Sequence, residues 1–331
     1  MKGWLAALGM TALVAAAGAM ALHATTGAPP DGSAPAPATS AHTTAAAPTA
    51  MTDTPAPARR ASASAPAFVP PAEASIPTGP FGDVVRQGRD IFMHTPRYAK
   101  AYVGNGLTCS NCHLDAGRLA NSAPLWGAYG MYPQYRKKNG HVNSYGERLQ
   151  GCFQYSMNGK APPLDSKELL ALETYSYWMA SGAPVGVKLA GAGYPKLAKP
   201  SRAPDYARGK AVFERDCALC HGADGQGQKA AGRYVFPPLW GGDSFNWGAG
   251  MHQLDNAAGF IQANMPLSRG GTLSEQDAWD VAMYMDAHER PQDPRFKGDV
   301  AATRKAYHDT PMSLYGTTVN GHLLGSQPPP R

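Results

Sequence analysis

The sequence predicts an all-α fold of two small, similar domains, and three observations carry that prediction. The structured part contains Cys-x-x-Cys-His twice, as Cys109-Ser110-Asn111-Cys112-His113 and as Cys217-Ala218-Leu219-Cys220-His221. Each copy follows a stretch with apolar residues at helical spacing and precedes, after a loop-rich wrap, a second such stretch. No βαβ pattern accompanies either copy.

The elements follow in chain order. Residues 1–24 carry Lys2, an uncharged apolar run from Trp4 to Leu22 and the small-x-small triplet Ala19-Met20-Ala21. This reads as an export signal. The run also reaches the length of a membrane span, so cleavage and retention as an anchor both fit. Either way the chain is placed outside the cytoplasm, in a periplasmic setting. Residues 25–76 are almost entirely Ala, Pro, Thr, Ser and Gly, which cannot bury a core and are expected to form a disordered tether. The first domain is expected over 77–187. It opens with GDVVRQGRDIFMH (82–94) and closes with DSKELLALETYSYWMASG (165–182), started by an Asp165/Glu168 box and stopped at Gly182. Residues 188–204, rich in Gly, Lys and Pro, form the linker. The second domain, 205–290, repeats the order with DYARGKAVFERD (205–216) and SEQDAWDVAMYMDAHER (274–290), the latter opened by Ser274 and Asp277 and stopped by Pro291. The tail, 291–331, carries no motif and is expected to pack partly and fray.

Cys-x-x-Cys-His is the attachment pattern of c-type haem: two thiols reach the vinyl groups of one porphyrin and the histidine becomes the proximal iron ligand. A zinc site would need further ligands at short spacing. Two copies in an exported chain therefore imply two covalently bound haem c groups, held by Cys109, Cys112 and His113 and by Cys217, Cys220 and His221. The formal charge of +6 is largely cancelled by the haem propionates. It is weak ground for nucleic-acid binding, and no RNP or helix-turn-helix pattern supports a nucleic-acid partner.

The distal ligands matter because the axial pair sets the potential. In the second domain Met265 lies 44 residues after His221 and nine before the last helical stretch. Met251, Met283 and Met285 are its rivals. In the first domain the corresponding slot, 39 residues after His113, holds Cys152. Of the five cysteines, four are used in thioether bonds, so Cys152 has no intramolecular partner. It reads as an iron ligand, a small buried hydrophobe or half of an intermolecular disulfide, with Met131, Met157 and His141 as competing ligands. A thiolate ligand lowers a haem potential where a thioether raises it.

Over nearly all of residues 80–295 the chain resembles the dihaem thiosulfate dehydrogenases, or thiosulfate:tetrathionate oxidoreductases. The likeness is carried by Gly106-Leu107-Thr108 before the first haem motif and by Tyr132-Pro133-Gln134-Tyr135-Arg136. The most specific string is Glu147-Arg148, Cys152 and Ser156-Met157-Asn158-Gly159. Pro163-Leu164-Asp165-Ser166, Met265-Pro266 and His288-Glu289-Arg290-Pro291 extend it. The resemblance implies ligation of haem 1 by His113 and Cys152 and of haem 2 by His221 and Met265. It implies that two thiosulfates are joined into tetrathionate at haem 1, with Cys152 also the reactive sulfur, and that the reverse reduction is open to the same site. Arg136 and Arg148 fall on the family's substrate-binding arginines and Ser156 on a further contact. Where some members carry lysine before the distal methionine, this chain has Asn264.

The chemistry agrees with that assignment. Thiosulfate and tetrathionate are dianions, and guanidinium groups offset their repulsion with fixed charge and forked bonds to sulfonate oxygens. Lys137 and Lys138 read as surface charge, and Lys160 has no assigned role. Electrons would leave through haem 2 to a soluble or membrane-attached carrier such as another c-type cytochrome. The alternatives are a non-catalytic dihaem carrier, a dihaem peroxidase, and a sulfur-oxidation cytochrome acting on a partner protein's cysteine. The first needs neither Cys152 nor the arginines.

Overall fold

The computed structural model describes residues 68–328. The export signal and all of the tether before Phe68 lie outside the described residues. Among the described residues no helix is long and apolar enough to cross a membrane.

The first domain is framed by α1 (Pro80–Met93), followed by the short α2 (Thr95–Tyr98), the turn α3 (Leu114–Gly117), α4 (Tyr145–Gly151) and α5 (Lys167–Met179). The second is framed by α6 (Tyr206–Asp216), the short α7 (Ala218–His221), α8 (Leu254–Asn264) and α9 (Glu275–Asp286). Sequence dictates the starts. Asp205 accepts from Arg208 N–H at 2.9 Å and Ser274 from Asp277 N–H at 3.0 Å, satisfying amides that a helix end leaves free. At α5 the cap is Ser166, which accepts from Leu169 N–H at 3.3 Å, one residue beyond the Asp165/Glu168 box read from the sequence.

The repeat is visible in the packing. α1 crosses α5 at Gly88, where an added Cβ would lie 2.0 Å from the Ala171 carbonyl oxygen. α6 crosses α9 at Gly209, where it would lie 1.9 Å from the Asp280 carbonyl oxygen. Each glycine stands four residues before a buried phenylalanine, Phe92 and Phe213. Around each crossing sits a separate apolar core, one holding Val85, Leu172 and Tyr175, the other Val212, Trp279 and Val281. Backbone carbonyl against glycine leaves no room for a side chain, so the two crossings are fixed by the same residue type.

Three two-stranded hairpins interrupt the helices: β1 (Gln134–Arg136) with β2 (His141–Asn143), β3 (Gln228–Ala230) with β4 (Arg233–Phe236), and β5 (Thr318–Val319) with β6 (His322–Leu323). All are antiparallel, with Arg136 opposite His141 and Ala230 opposite Arg233. They are too short to alter the helical class of the fold.

Both chain ends depart from expectation. Residues 68–76, read as the end of the tether, pack on the first domain. Phe68 lies 5.4 Å from the Trp126 ring, Glu73 pairs with Arg89 at 2.7 Å, and Pro70 O accepts from Arg118 at 3.2 Å. Phe68 on Trp126, the Glu73–Arg89 pair and the Arg118 bond together seat it. The tail, expected to pack partly and fray, packs further than that: it forms α10 (Val300–Tyr307) and the third hairpin, and buries Tyr315 and Leu324 completely. The Asp299 cap on Ala302 N–H starts α10. Linker residues 188–204 contain no helix, but Ala192 packs on the first core and Tyr194 and Leu197 on the second.

Candidate functional site

Each haem motif opens onto its own cavity. Cys109, Cys112 and His113 line one of about 360 Å³, and Cys217, Cys220 and His221 one of about 230 Å³. Thr108 and Asn111 cap the turn that presents the first motif, with Thr108 N–H donating to Asn111 Oδ1 at 2.7 Å. His113 donates its Nδ1–H to Ala123 O at 2.7 Å, and His221 to Pro237 O at 2.9 Å. A carbonyl can only accept, so the proton sits on Nδ1 and the Nε2 lone pair is free. Burial lowers the pKa of both rings, that of His113 to about 4, against the pull of these bonds. A neutral imidazole with an anchored Nδ1 and a free Nε2 is what iron ligation requires. Two thiols, such an imidazole and apolar walls fit a covalently held haem in each cavity.

Cys152 borders the first cavity together with His113, Arg136, Arg148 and Ser156. Ser144 and Glu147 cap α4 reciprocally, Glu147 N–H donating to Ser144 Oγ at 3.1 Å and Ser144 N–H to Glu147 Oε2 at 2.7 Å. One turn on, Arg148 Nη1 donates to Cys152 Sγ at 2.8 Å. The sulfur beside it holds the Arg148 guanidinium firmly in its charged form. Past Cys152 the helix widens into a π turn, Cys152–Ser156. Arg136 arrives from hairpin β1–β2, its Nη1 donating to the Tyr132 hydroxyl at 2.8 Å. Two guanidinium groups and the Cys152 sulfur thus line a cavity whose other walls are mostly apolar.

Of the rival first-domain ligands, Met131 and Met157 also border this cavity. His141 does not: it is exposed on β2, with its Nε2 donating to Glu147 Oε1 at 3.0 Å. Lys160 is exposed and outside the lining. Lys138, read as surface charge, keeps an exposed stem but encloses its ammonium. The Nζ donates to Gly248 O and sits 3.5 Å from the Tyr155 ring centre. Burial of that ammonium and Arg295 nearby pull its pKa down to about 7. Sequence reasoning passed over Tyr132, Gln134, Lys188 and Tyr194 as lining residues. The first two stand inside the Tyr132–Arg136 string, which is signal enough; the last two lie in a linker with no motif.

In the second cavity Met265 and Met285 are both present, while Met283 packs in the core behind. Asn264 turns its Nδ2 to Phe260 O at 2.9 Å and Asn121 O at 3.1 Å. Leu107, Cys112, Phe245 and Met251 border both cavities.

Residues 95–185 match the family described as SoxA/TsdA, cytochrome c domain, and residues 204–285 match cytochrome C oxidase, cbb3-type, subunit III. The chain is 62% identical over 266 residues to a thiosulfate dehydrogenase of Thiomonas intermedia, covering 80% of this chain and 85% of that protein. It is 59% identical over 260 residues to a thiosulfate dehydrogenase of Stutzerimonas stutzeri, covering 78% and 85%. Among solved structures it resembles thiosulfate dehydrogenase (TsdBA) from Marichromatium purpuratum in the as-isolated form. The TM-score there is 0.76 at 48% identity, covering 80% of this chain and 59% of that longer one.

Proposed function

The chain belongs to the thiosulfate dehydrogenase family of dihaem c-type cytochromes, and from that premise we propose that it joins two thiosulfates into tetrathionate in the cavity that holds Cys152. The observation that carries this reading is the Arg148–Cys152 contact of 2.8 Å beside the first haem motif. A bare electron carrier has no use for it.

The two covalently bound haems supply one-electron acceptors, together enough for the two electrons that two thiosulfates lose on joining. Everything else falls to the side chains. Arg148 and Arg136 hold the sulfonate oxygens of the first thiosulfate and offset its charge. The Cys152 thiolate forms an S–S bond with the outer sulfur of that thiosulfate, and two electrons are given up. The outer sulfur of a second thiosulfate then attacks the adduct. A new S–S bond forms, the bond to Cys152 breaks, tetrathionate leaves and the thiolate is restored. Run backwards, the same steps reduce tetrathionate.

His113 and Cys152 would hold haem 1, and His221 and Met265 would hold haem 2. A thiolate from Cys152 would set a lower potential at the first haem than the thioether of Met265 at the second, so that transfer from first to second would run downhill. Electrons then pass to an external carrier, another c-type cytochrome being the chemistry that fits. Ser156 is a further substrate contact, and a periplasmic location follows from c-type haem attachment. The test is Cys152→Ala with both haems attached. Tetrathionate formation is expected to disappear; an undiminished rate overturns the mechanism.

A further inference from the structure

The turn that carries Cys152 is held in shape from the other domain. Met157 N–H donates to Cys152 O at 3.0 Å, five residues apart, which defines the π register. The carbonyls that follow must find donors elsewhere. Phe153 O accepts from Gly159 N–H at 2.9 Å, and Ser156 O from Asn105 Nδ2 at 3.0 Å. Gln154 O accepts from Asn246 Nδ2 at 2.9 Å, and Tyr155 O accepts from the Asn246 backbone N–H at 3.2 Å as well as from Asn158 N–H at 3.3 Å. The Asn246 side chain is 1% exposed and has no spare group. Its Nδ2 also donates to Asn158 Oδ1 at 3.0 Å, and its Oδ1 accepts from Gly248 N–H at 3.0 Å.

The loop bearing Asn246 is itself clamped by His288-Glu289-Arg290-Pro291. Gly241 N–H donates to Glu289 O at 2.8 Å, Trp247 N–H to Pro291 O at 3.0 Å, and the Arg290 guanidinium lies 4.3 Å from the Phe245 ring centre. That string thus acts at a distance, through the loop, on the first domain's π turn.

The register decides what faces the cavity. Arg148, Cys152 and Ser156 are spaced four apart, and on an α-helix each such step overshoots a full turn by about 40°. Three residues would then fan out across about 80°. The wider π turn falls short of a full turn over four residues instead, which brings Ser156 back toward the line of Arg148. All three border the cavity.

We propose that Asn246 is a positioning residue for the first domain's chemistry: from the second domain it selects the π register that keeps Cys152 and Ser156 on one face with Arg148. This rests on the reading of Cys152 as the reactive sulfur. Without Asn246 the turn relaxes toward α geometry and Ser156 swings off the substrate.

The test uses the full-length protein with both haems attached, comparing Asn246→Ala, the isosteric Asn246→Asp, which cannot donate, and Ser244→Ala as a neighbouring control. Both Asn246 variants are expected to exchange the Met157 amide about tenfold faster. They are also expected to raise the thiosulfate KM about tenfold, the weight of one hydrogen bond, with a smaller fall in kcat. The low-spin resonance of thiolate-held ferric haem 1 shifts, while the haem 2 potential and the behaviour of Ser244→Ala stay as in the native protein. Native exchange across 152–157 in both variants overturns the proposal, and so does faster exchange with an unchanged KM and resonance. Should Cys152→Ala retain activity, the reading of Cys152 fails by itself, and the exchange result still reports on the turn.

Discussion

Replacing Arg148 by glutamine removes the guanidinium whose Nη1 lies 2.8 Å from Cys152 Sγ, and leaves the fold in place. α4 is held by the Ser144/Glu147 cap and by Tyr145 and Leu149, which are buried; the Arg148 side chain faces the cavity. A hydrogen bond to a charged group contributes about 1.5–3 kcal/mol. Lost in the transition state, where sulfur and sulfonate charges converge, that is about 10- to 150-fold in kcat/KM. Arg148→Gln is expected near the upper limit. Arg148→Lys retains charge without the fork and belongs near the lower one. The assay is steady-state tetrathionate formation with a small inorganic electron acceptor, on protein whose two haems are shown to be attached. Lys160→Gln, altering an exposed residue outside the cavity, serves as the reference and is expected to match the native rate. An Arg148→Gln protein within threefold of native kcat/KM refutes the argument, as does an equal loss in Lys160→Gln.

Two further expectations concern the scaffold. Gly209→Ala places a Cβ 1.9 Å from the Asp280 carbonyl oxygen and 2.8 Å from the Tyr284 Cβ. Because backbone must yield, the cost belongs at the upper end of overpacking, about 3 kcal/mol, and Tm falls by roughly 5–10 °C in calorimetry; a shift under a degree would show that the crossing has slack. Asp280 is 1% exposed and accepts from Arg208 Nε at 2.7 Å, Asp205 N–H at 2.8 Å and Gln276 Nε2 at 3.1 Å. Burial alone would raise its pKa, but these donors outweigh burial and hold it below the ordinary carboxylate value. The stabilisation is therefore present above the unfolded pKa and lost as pH falls through the lower folded one, below about pH 4. Denaturation midpoints of Asp280→Asn should be flatter than native in that window, and parallel curves would contradict the assignment.

What the sequence disclosed was whatever local pattern determines. The haem motifs, both helix pairs and the Ser274 cap depend on residues a few positions apart, and they stand where periodicity placed them. α4 was legible too, since Ser144-Tyr145-Gly146-Glu147 is a capping box, yet it was passed over in favour of the cysteine that follows. The π turn is a different matter. Nothing within Cys152–Ser156 requires it; the donor that favours it is Asn246, some ninety positions away in sequence. Lys138 was misread for a related reason: a basic residue on a hairpin is ordinarily solvated, and only the fold brings Tyr155 and Gly248 beneath it. The tail carries no motif from which its helix could be read beyond Asp299, which caps the start of α10.

Leu107, Cys112, Phe245 and Met251 face the first cavity on one side and the second on the other. Two rooms divided by a single course of bricks cannot be remodelled one at a time. A change of volume or polarity at any of these four positions reaches both cavities at once, and one of the four, Cys112, belongs to the first Cys-x-x-Cys-His motif. The halves are therefore a repeat in sequence without being interchangeable parts, and a chimera that exchanged either for another cytochrome domain would have to carry its share of the partition with it.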